Sequence, residues 1–257
     1  MNNCSVVVAI VMMIAVLNVC CSRSRLQPVP VENDDICDNC QMTILDPEFA
    51  AEALMDDGDV KKFDTPICMV QRFSGPRNKL LKSHIKGLFV TDFNSRRWVN
   101  AESALYVRGD IRTPVMGYNL LVMSDSNLVK SFCREHHCDG IMDFRGFWLR
   151  YAEPDLYISL SLNDSDSKSI PTFMCNLNDI VQVKVKNERG ISNAVLINGY
   201  ERVHICVQGS SAAMDRFYAD RPGDFFDIID STSGKRVGRL IVRGAHLHEE
   251  ERQYYEW

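Results

Sequence analysis

The sequence of 257 residues lacks an apolar run long enough to cross a membrane as a helix. Its longest unbroken apolar stretch, residues 6–17, has 12 residues, whereas a spanning helix needs about 20. The sequence also lacks an excess of basic charge, because 29 lysines and arginines are scattered among 34 aspartates and glutamates and the net charge is −5. A surface that neutralises many phosphates is therefore excluded, and nucleic acid is not expected as a partner.

The short apolar stretch is typical of the hydrophobic region of a secretory signal. Leu17 stands three residues before Cys20, and Cys21 follows, which resembles a bacterial lipobox in which a cysteine is lipidated. We therefore predict that residues 1–21 are a signal and that Cys20 or Cys21 carries a lipid anchor facing the periplasm. A cleaved signal or an uncleaved short anchor, with two incidental cysteines, is the alternative. Residues 22–35 are polar, contain two prolines and are interpreted as a tether.

The chain contains ten cysteines, which in an exported protein would normally indicate disulfides. Setting aside Cys4, Cys20 and Cys21 leaves seven, so at least one thiol cannot pair within the chain. In an oxidising compartment, a thiol that stays reduced usually binds a metal or reacts. The cysteine count therefore favours a thiol-based site.

Two of these cysteines and a methionine lie within six residues of one another. Cys37, Cys40 and Met42 form a Cys-x-x-Cys-x-Met motif, in which one turn of chain can direct three sulfur atoms at a single ion. Thiolate and thioether are soft ligands, and a set that includes methionine favours Cu(I) over Zn²⁺. The two cysteines alone are also compatible with a disulfide, half a zinc site or a redox pair.

Other side chains that bind metals stand further along the chain. Cys68 and Met69 lie on a helix predicted over residues 65–73, and Met116 lies at a predicted turn, although a buried methionine is also common core filler. A second group gathers two thiols and two imidazoles at a predicted helix end: Cys133, His136, His137 and Cys138. That group could bind Zn²⁺ or copper, or it could hold a disulfide between its two cysteines.

The order of predicted elements indicates two domains. Residues 36–160 mix strands and short helices, with a hairpin over 50–63 and helices over 65–73 and 126–136, which indicates an α+β fold. Residues 161–170 are polar, end before Pro171 and are interpreted as a linker. Over residues 171–248 apolar side chains alternate with polar ones, which predicts a β-sandwich. Residues 249–257 are interpreted as a tail.

Four ordered blocks of the N-terminal half resemble the NosL family: residues 37–42, 63–69, 98–107 and 114–117. NosL proteins are lipid-anchored copper proteins that help supply copper to nitrous oxide reductase, and they fold as two ββαβ-type units similar to the core of the organomercurial lyase. The resemblance covers about residues 36–151. The chain departs from the family pattern at Gln41, where Gly is usual, and at Thr65, where Asp is usual.

The resemblance to NosL implies a protein that carries Cu(I). It implies that Cys37, Cys40 and Met42 are metal ligands, with Met116 as a further one. Met69 and Cys68 are additional candidates. It also implies a copper-receiving enzyme, expected to be nitrous oxide reductase, and its maturation machinery as partners.

The C-terminal half resembles a cupredoxin in the order of its strands, but the positions of the copper ligands differ. The expected histidine is absent from residues 186–198. Ile229 stands about where a cysteine is expected, and Arg236 or Val237 stands where a methionine is expected. The resemblance therefore implies a cupredoxin-like sandwich without the mononuclear copper site, whose expected role is to dock a partner.

The function expected from these patterns is Cu(I) delivery by ligand exchange, without chemical turnover. The first alternative is a thiol enzyme, a disulfide reductase or a lyase, in which Cys37 and Cys40 are nucleophiles and Asp38 is the nearest acid or base in sequence. The second alternative is a structural zinc domain, whose four ligands would be Cys37, Cys40, Cys133 and Cys138.

Overall fold

The computed structural model describes residues 27–110, 119–163, 169–200, 202–206 and 212–244. The helices in these ranges are α1 (Pro66–Arg72), α2 (Lys79–Ser83), α3 (Ser126–His136) and α4 (Phe144–Tyr151). The first strands are β1 (Ala51–Met55), β2 (Val60–Phe63), β3 (Ile85–Thr91), β4 (Trp98–Asn100), β5 (Leu105–Gly109), β6 (Leu120–Met123) and β7 (Cys138–Met142). The later strands are β8 (Leu156–Leu162), β9 (Thr172–Asn176), β10 (Ile180–Asn187), β11 (Asn193–Ile197), β12 (Arg202–Cys206), β13 (Ala212–Tyr218), β14 (Gly223–Asp230) and β15 (Arg236–Arg243). Among the helices of the described ranges, none combines the length and apolarity needed to span a bilayer.

The first four strands form one sheet in the order β2-β1-β3-β4, with β1 antiparallel to both neighbours. Helix α1 follows β2 and begins after Thr65, whose Oγ1 accepts a hydrogen bond from the Cys68 amide at 3.1 Å. Pro66 occupies the first helical position, where its missing N–H leaves no bond unmade. The predicted hairpin and the predicted helix with its threonine cap are confirmed.

The next part of the chain repeats this arrangement. Strands β5, β6 and β7 form a sheet in the order β6-β5-β7, and α3 connects β6 to β7. In both units two strands, a helical segment and a third strand follow one another, and the first strand is central; the helical segment is α1 and α2 in the first unit and α3 in the second. The paired ββαβ arrangement expected from the sequence is confirmed.

The C-terminal strands form two sheets, β13-β10-β8 and β12-β11-β14-β15-β9. Buried side chains from both sheets form a single hydrophobic cluster, so the two sheets face each other as a sandwich. Val181, Val183 and Val185 are buried, whereas Lys184 and Lys186 between and after them are exposed. The alternation in the sequence predicted this pattern.

Strand β8 belongs to the sandwich, where it pairs in parallel with β10. Ile158, Leu160 and Leu162 are buried in the sandwich core, and the side chains between them are exposed. The period of two that marks the sandwich therefore begins at Leu156. The domain boundary placed at residue 160 falls inside this strand, and the first two residues of the linker assigned to residues 161–170 belong to it.

Polar contacts and one apolar side chain join the α+β part to the sandwich. Lys79 Nζ donates to Asp179 Oδ2 at 2.7 Å, and the Tyr218 hydroxyl donates to the Arg145 carbonyl at 3.0 Å. Ile180, at the start of β10, is buried in the hydrophobic cluster of the α+β part. These contacts hold the sandwich against the N-terminal units.

The most buried charge of the sandwich is Asp230, which is fully buried at the end of β14. Its Oδ2 accepts hydrogen bonds from Arg189 Nη1 at 2.5 Å and from Ser233 Oγ at 2.6 Å. Burial alone would raise the pKa of Asp230, but the hydrogen bonds from Ser233 and Arg189 lower it to about 2. The carboxylate is therefore charged at neutral pH and holds the turn between β14 and β15.

We expect Asp230→Asn to lower the free energy of unfolding at pH 7 by about 3 kcal/mol, because Arg189 loses the partner of a buried charge pair. Urea unfolding followed by circular dichroism measures this change. Since the folded pKa lies below the ordinary value, the charge contributes fully above about pH 4. The difference between wild type and variant should therefore shrink as the pH falls towards about 2.

The exposed Asp34 provides a matched control. Asp34→Asn should change the free energy of unfolding by less than about 0.5 kcal/mol. A destabilisation by Asp230→Asn no larger than that of the control would contradict this account of the turn.

Candidate metal site

Cys37 and Cys40 lie in a tight hairpin that precedes the first sheet. Ile36 forms an antiparallel bridge with Thr43, and the Cys37 amide donates to the Met42 carbonyl at 2.8 Å. The Asp38 amide, at the turn, donates to the carbonyl of Lys62 in β2 at 2.9 Å. The hairpin is therefore fixed to the edge of the sheet.

Gln41 occupies the left-handed region of the backbone, with φ of 63°. This conformation suits glycine best, since a side chain is strained there. The Gln41 amide donates to the Cys37 carbonyl at 3.0 Å, and its side-chain amide donates to the carbonyls of Cys37 and Asp38 at 3.3 and 3.2 Å. Gln41 thus closes the turn with hydrogen bonds where the family pattern usually has glycine.

The hairpin brings its two thiols to the junction of β2 and α1. Asp64 follows β2 directly, and Cys68 lies on the first turn of α1, where the Thr65 cap orients it. One ligand atom from each of Cys37, Cys40, Asp64 and Cys68 lies within 4.8 Å of all the others. Three thiols and one carboxylate therefore converge at one place.

Two of the thiols share the carboxylate of Asp64. Cys37 Sγ donates to Asp64 Oδ1 at 3.2 Å, and Cys40 Sγ lies 3.5 Å from Asp64 Oδ2. Cys37, Cys68 and Asp64 are 0%, 1% and 3% exposed, whereas Cys40 is only partly buried. The cluster is therefore closed on the side of the core and open to solvent at Cys40.

The hydrogen bonds of the cluster distribute the thiol protons unequally. A hydrogen bond from the Cys68 thiol, acting against burial and helped by the amides of Cys40, Asp64 and Asn39, lowers the pKa of Cys37 to about 6. The same hydrogen bond, together with burial, raises the pKa of Cys68. Burial raises the pKa of Cys40. Cys37 is therefore the thiol of the cluster that loses its proton most readily, and the thiolate is the form that binds metals.

Met42 lies on the same hairpin as Cys37 and Cys40. It is paired with Cys37 across the hairpin, so the two residues share a face, and its side chain is 45% exposed. Met69 is fully buried in the hydrophobic cluster that also contains Cys37 and Cys68. Metal binding by Met42 and Met69 stays a prediction. Met116, Cys20 and Cys21 lie outside the described residues.

The group at the end of α3 is a disulfide in this structure. Cys133 is bonded to Cys138, and the ring of His136 stacks on Phe132 with centroids 4.3 Å apart. A disulfide sulfur carries no charge to offer to a metal. The hypothesis of a second metal site that uses these two thiols is therefore wrong, and so is the structural zinc domain that required them.

Asp64 is the site residue that sequence reasoning missed. Asp38, which is closer to the cysteines in sequence, points to basic side chains and pairs with Arg72 at 2.7 Å and Lys61 at 3.5 Å. Asp64 could have been noticed because a carboxylate directly before a helix cap and a helical cysteine is well placed to face the same point as that cysteine. Its convergence with Cys37 depends on the pairing of the hairpin with β2.

Comparisons with known proteins identify the part of the chain that carries this site. Residues 28–145 match the model of the NosL family. We call this stretch the NosL domain, after the family that it resembles. Among solved structures, the copper chaperone NosL from Shewanella denitrificans is 20% identical, with a TM-score of 0.35, over 46% of this chain and 92% of that chain. No curated protein sequence matches the chain.

Two further structural similarities concern copper proteins of other kinds. The multicopper oxidase mgLAC is 15% identical, with a TM-score of 0.30, over 38% of this chain and 41% of its own. An oxidised variant of amicyanin is 17% identical, with a TM-score of 0.25, over 34% of this chain and 82% of its own. The NosL domain itself contains all four residues of the cluster.

We expect Cys40 to react with iodoacetamide at least about tenfold faster than Cys37, Cys68 or Cys175 in the reduced native protein at pH 7. The other three thiols are buried, so they must wait for local opening even where the pKa is low. Peptide mass spectrometry over a labelling time course measures the four rates. Equal rates in urea provide the control, and labelling of Cys37 as fast as Cys40 in the native protein would contradict the closed geometry.

Proposed function

We propose that this protein carries Cu(I) on the sulfur cluster of its NosL domain and transfers it to a copper enzyme. The observation that carries the proposal is the convergence of Cys37, Cys40 and Cys68 within 4.8 Å. Met42 lies on the same hairpin as Cys37 and Cys40 and is partly exposed. Thiolates and a thioether are the ligands that Cu(I) prefers. The match of residues 28–145 to the NosL family supports copper as the ion.

The buried and the exposed sulfurs of the cluster would play different parts in the transfer of copper. Cys37 and Cys68 are buried and would retain the ion, whereas Cys40 and Met42 are reachable from solvent. A ligand from a receiving protein would replace the outer sulfurs first, while the inner pair still holds the copper. Transfer would then proceed by ligand exchange, with no chemical turnover.

Asp64 would assist this exchange as the hydrogen-bond partner of the sulfurs. Its carboxylate faces both Cys37 and Cys40 and fixes their orientation before the ion arrives. Partners in the outer shell of a metal site typically change its affinity by about 10-fold to 100-fold. A carboxylate could also complete a tetrahedral zinc site with three thiolates. Asp64 would then be a direct ligand of Zn²⁺, whereas with Cu(I) it would only be a hydrogen-bond partner of the sulfur ligands.

The remaining parts of the proposal concern location and partner. A lipid on Cys20 or Cys21 would hold the protein at the membrane facing the periplasm, and the expected receiver is nitrous oxide reductase with its maturation machinery. The sandwich, which is braced against the NosL domain through Lys79 and Asp179, would dock the receiver while the cluster remains accessible.

Anaerobic titration of the reduced protein with Cu(I), against a competing chelator, tests this proposal. We expect one tight equivalent, with affinity lowered about 100-fold or more by Cys37→Ser or Cys68→Ser and about tenfold by the volume-conserving Met42→Leu. Cys175→Ser, which removes a buried thiol of the sandwich, is the matched control and should leave the affinity unchanged.

Parallel titration with Zn²⁺ distinguishes the metals. On the copper proposal, Asp64→Asn retains Cu(I) binding to within about 100-fold, and Zn²⁺ does not displace the copper. A protein that prefers Zn²⁺ and loses it with Asp64→Asn would contradict the proposal, as would Cu(I) binding that ignores every substitution in the cluster.

A thiol enzyme is the second candidate, because the structure supplies the acid or base that this alternative requires. Asp64 lies 3.2 Å from Cys37 Sγ, and the pKa of Cys37 is lowered to about 6, chiefly by the hydrogen bond from Cys68. A lyase would bind a soft organometallic substrate through the thiolates and protonate its carbon from the carboxyl group. Incubation with phenylmercury should then release benzene over many turnovers, whereas a carrier would at most bind one equivalent.

A further inference from the structure

The cluster in the NosL domain is also a set of thiols that can form a disulfide. Cys37, Cys40 and Cys68 hold their sulfurs within 4.8 Å of one another. The same chain contains the disulfide Cys133–Cys138 in its second ββαβ unit. Conditions that form this disulfide also oxidise a close pair of thiols elsewhere, unless something returns them to the reduced state.

We propose that Cys37 and Cys40 form a redox pair whose disulfide closes the metal site, and that a dithiol protein of the thiol–disulfide exchange class must reduce it before copper is loaded. The inference rests on the proposed function, since its consequence is the loss of Cu(I) binding. It adds a second partner, which acts before the copper enzyme.

The positions of the three thiols determine which two of them would form the disulfide. Cys40 is partly exposed, whereas Cys37 and Cys68 are 0% and 1% exposed, so an external disulfide can reach Cys40 first. Cys37 is the neighbour that faces it, because both sulfurs contact the carboxylate of Asp64 from the same turn, at 3.2 and 3.5 Å. A bond between Cys37 and Cys68 would have to begin at a buried sulfur.

Oxidation would proceed by two thiol–disulfide exchanges. The Cys40 thiolate attacks one sulfur of an external disulfide, whose S–S bond breaks, and the leaving thiolate takes the proton that Cys40 has lost. The Cys37 thiolate then attacks Cys40 Sγ, the mixed disulfide breaks, and the second thiolate leaves with the proton of Cys37. Two electrons and two protons pass to the external disulfide.

Reduction would be the reverse process, with a dithiol as the electron donor. One thiolate of the donor attacks the accessible Cys40 Sγ, and Cys37 leaves as a thiolate among the Cys68 thiol and the backbone amides of the turn. The second donor thiolate attacks the mixed disulfide and releases Cys40, while the donor becomes a disulfide. The two protons return to the pair.

The test equilibrates the full-length protein with oxidised and reduced glutathione, traps free thiols by alkylation, and maps disulfides by peptide mass spectrometry. We expect Cys37–Cys40 to form while Cys68 and Cys175 stay free, and Cu(I) affinity to fall by about 100-fold or more, since two thiolates are lost. Reduced thioredoxin, used as the dithiol probe, should restore binding and leave Cys133–Cys138 intact. Cys68→Ser should still form the pair, whereas Cys40→Ser should not.

The outcomes separate this inference from the proposed function. If the reduced protein binds Cu(I) tightly but Cys37 and Cys40 stay free, or if Cys37 pairs with Cys68 instead, the redox inference fails and the carrier stands. If the Cys37–Cys40 disulfide forms and Cu(I) still binds equally well, the inference fails as well. If Cys37 and Cys40 change between disulfide and dithiol but the reduced protein binds no Cu(I), the proposed carrier function fails. The redox pair itself is then supported as part of a thiol enzyme.

Discussion

The carboxylate of Asp64 accepts hydrogen bonds from two thiols that belong to a different segment of the chain. These contacts, at 3.2 Å to Cys37 and 3.5 Å to Cys40, join the N-terminal hairpin to the junction between β2 and α1. A buried carboxylate is costly unless it is hydrogen-bonded, so the thiols and the carboxylate stabilise each other's positions. The cluster therefore exists before any metal binds, and the fold around it serves to hold that geometry.

The surrounding structure explains why the cluster is both stable and accessible. Cys37 and Cys68 belong to the main hydrophobic cluster of the α+β part, which also includes Ile180 of the sandwich. The hairpin that carries Cys40 and Met42 lies at the edge of this core and meets solvent. A closed interior and an open rim agree with the proposed carrier function, because a carrier must retain an ion in transit and release it to another protein.

Local sequence patterns predicted the secondary-structure elements well, but they did not predict contacts between residues that are distant in sequence. The cap at Thr65, the hairpin after Ala50 and the alternating valines of β10 depend on neighbouring residues, and each forms as the sequence indicates. The alternation in β8 indicates a strand with one buried face, but its parallel pairing with β10 is a contact distant in sequence that the alternation alone does not predict. In the same way, Cys37, Cys40 and Met42 were recognisable as a motif, whereas the contribution of Asp64 depends on a contact with Cys37 across a sequence separation of 27 residues.

X-ray absorption at the copper edge of the Cu(I)-loaded protein counts the sulfur atoms bound to the ion. We expect a first shell made of sulfur, with thiolates of the cluster as the principal scatterers, and the loss of one sulfur scatterer in Cys68→Ser. A shell dominated by nitrogen or oxygen, or a sulfur count that Cys68→Ser leaves unchanged, would contradict it and would place the copper away from the buried thiols.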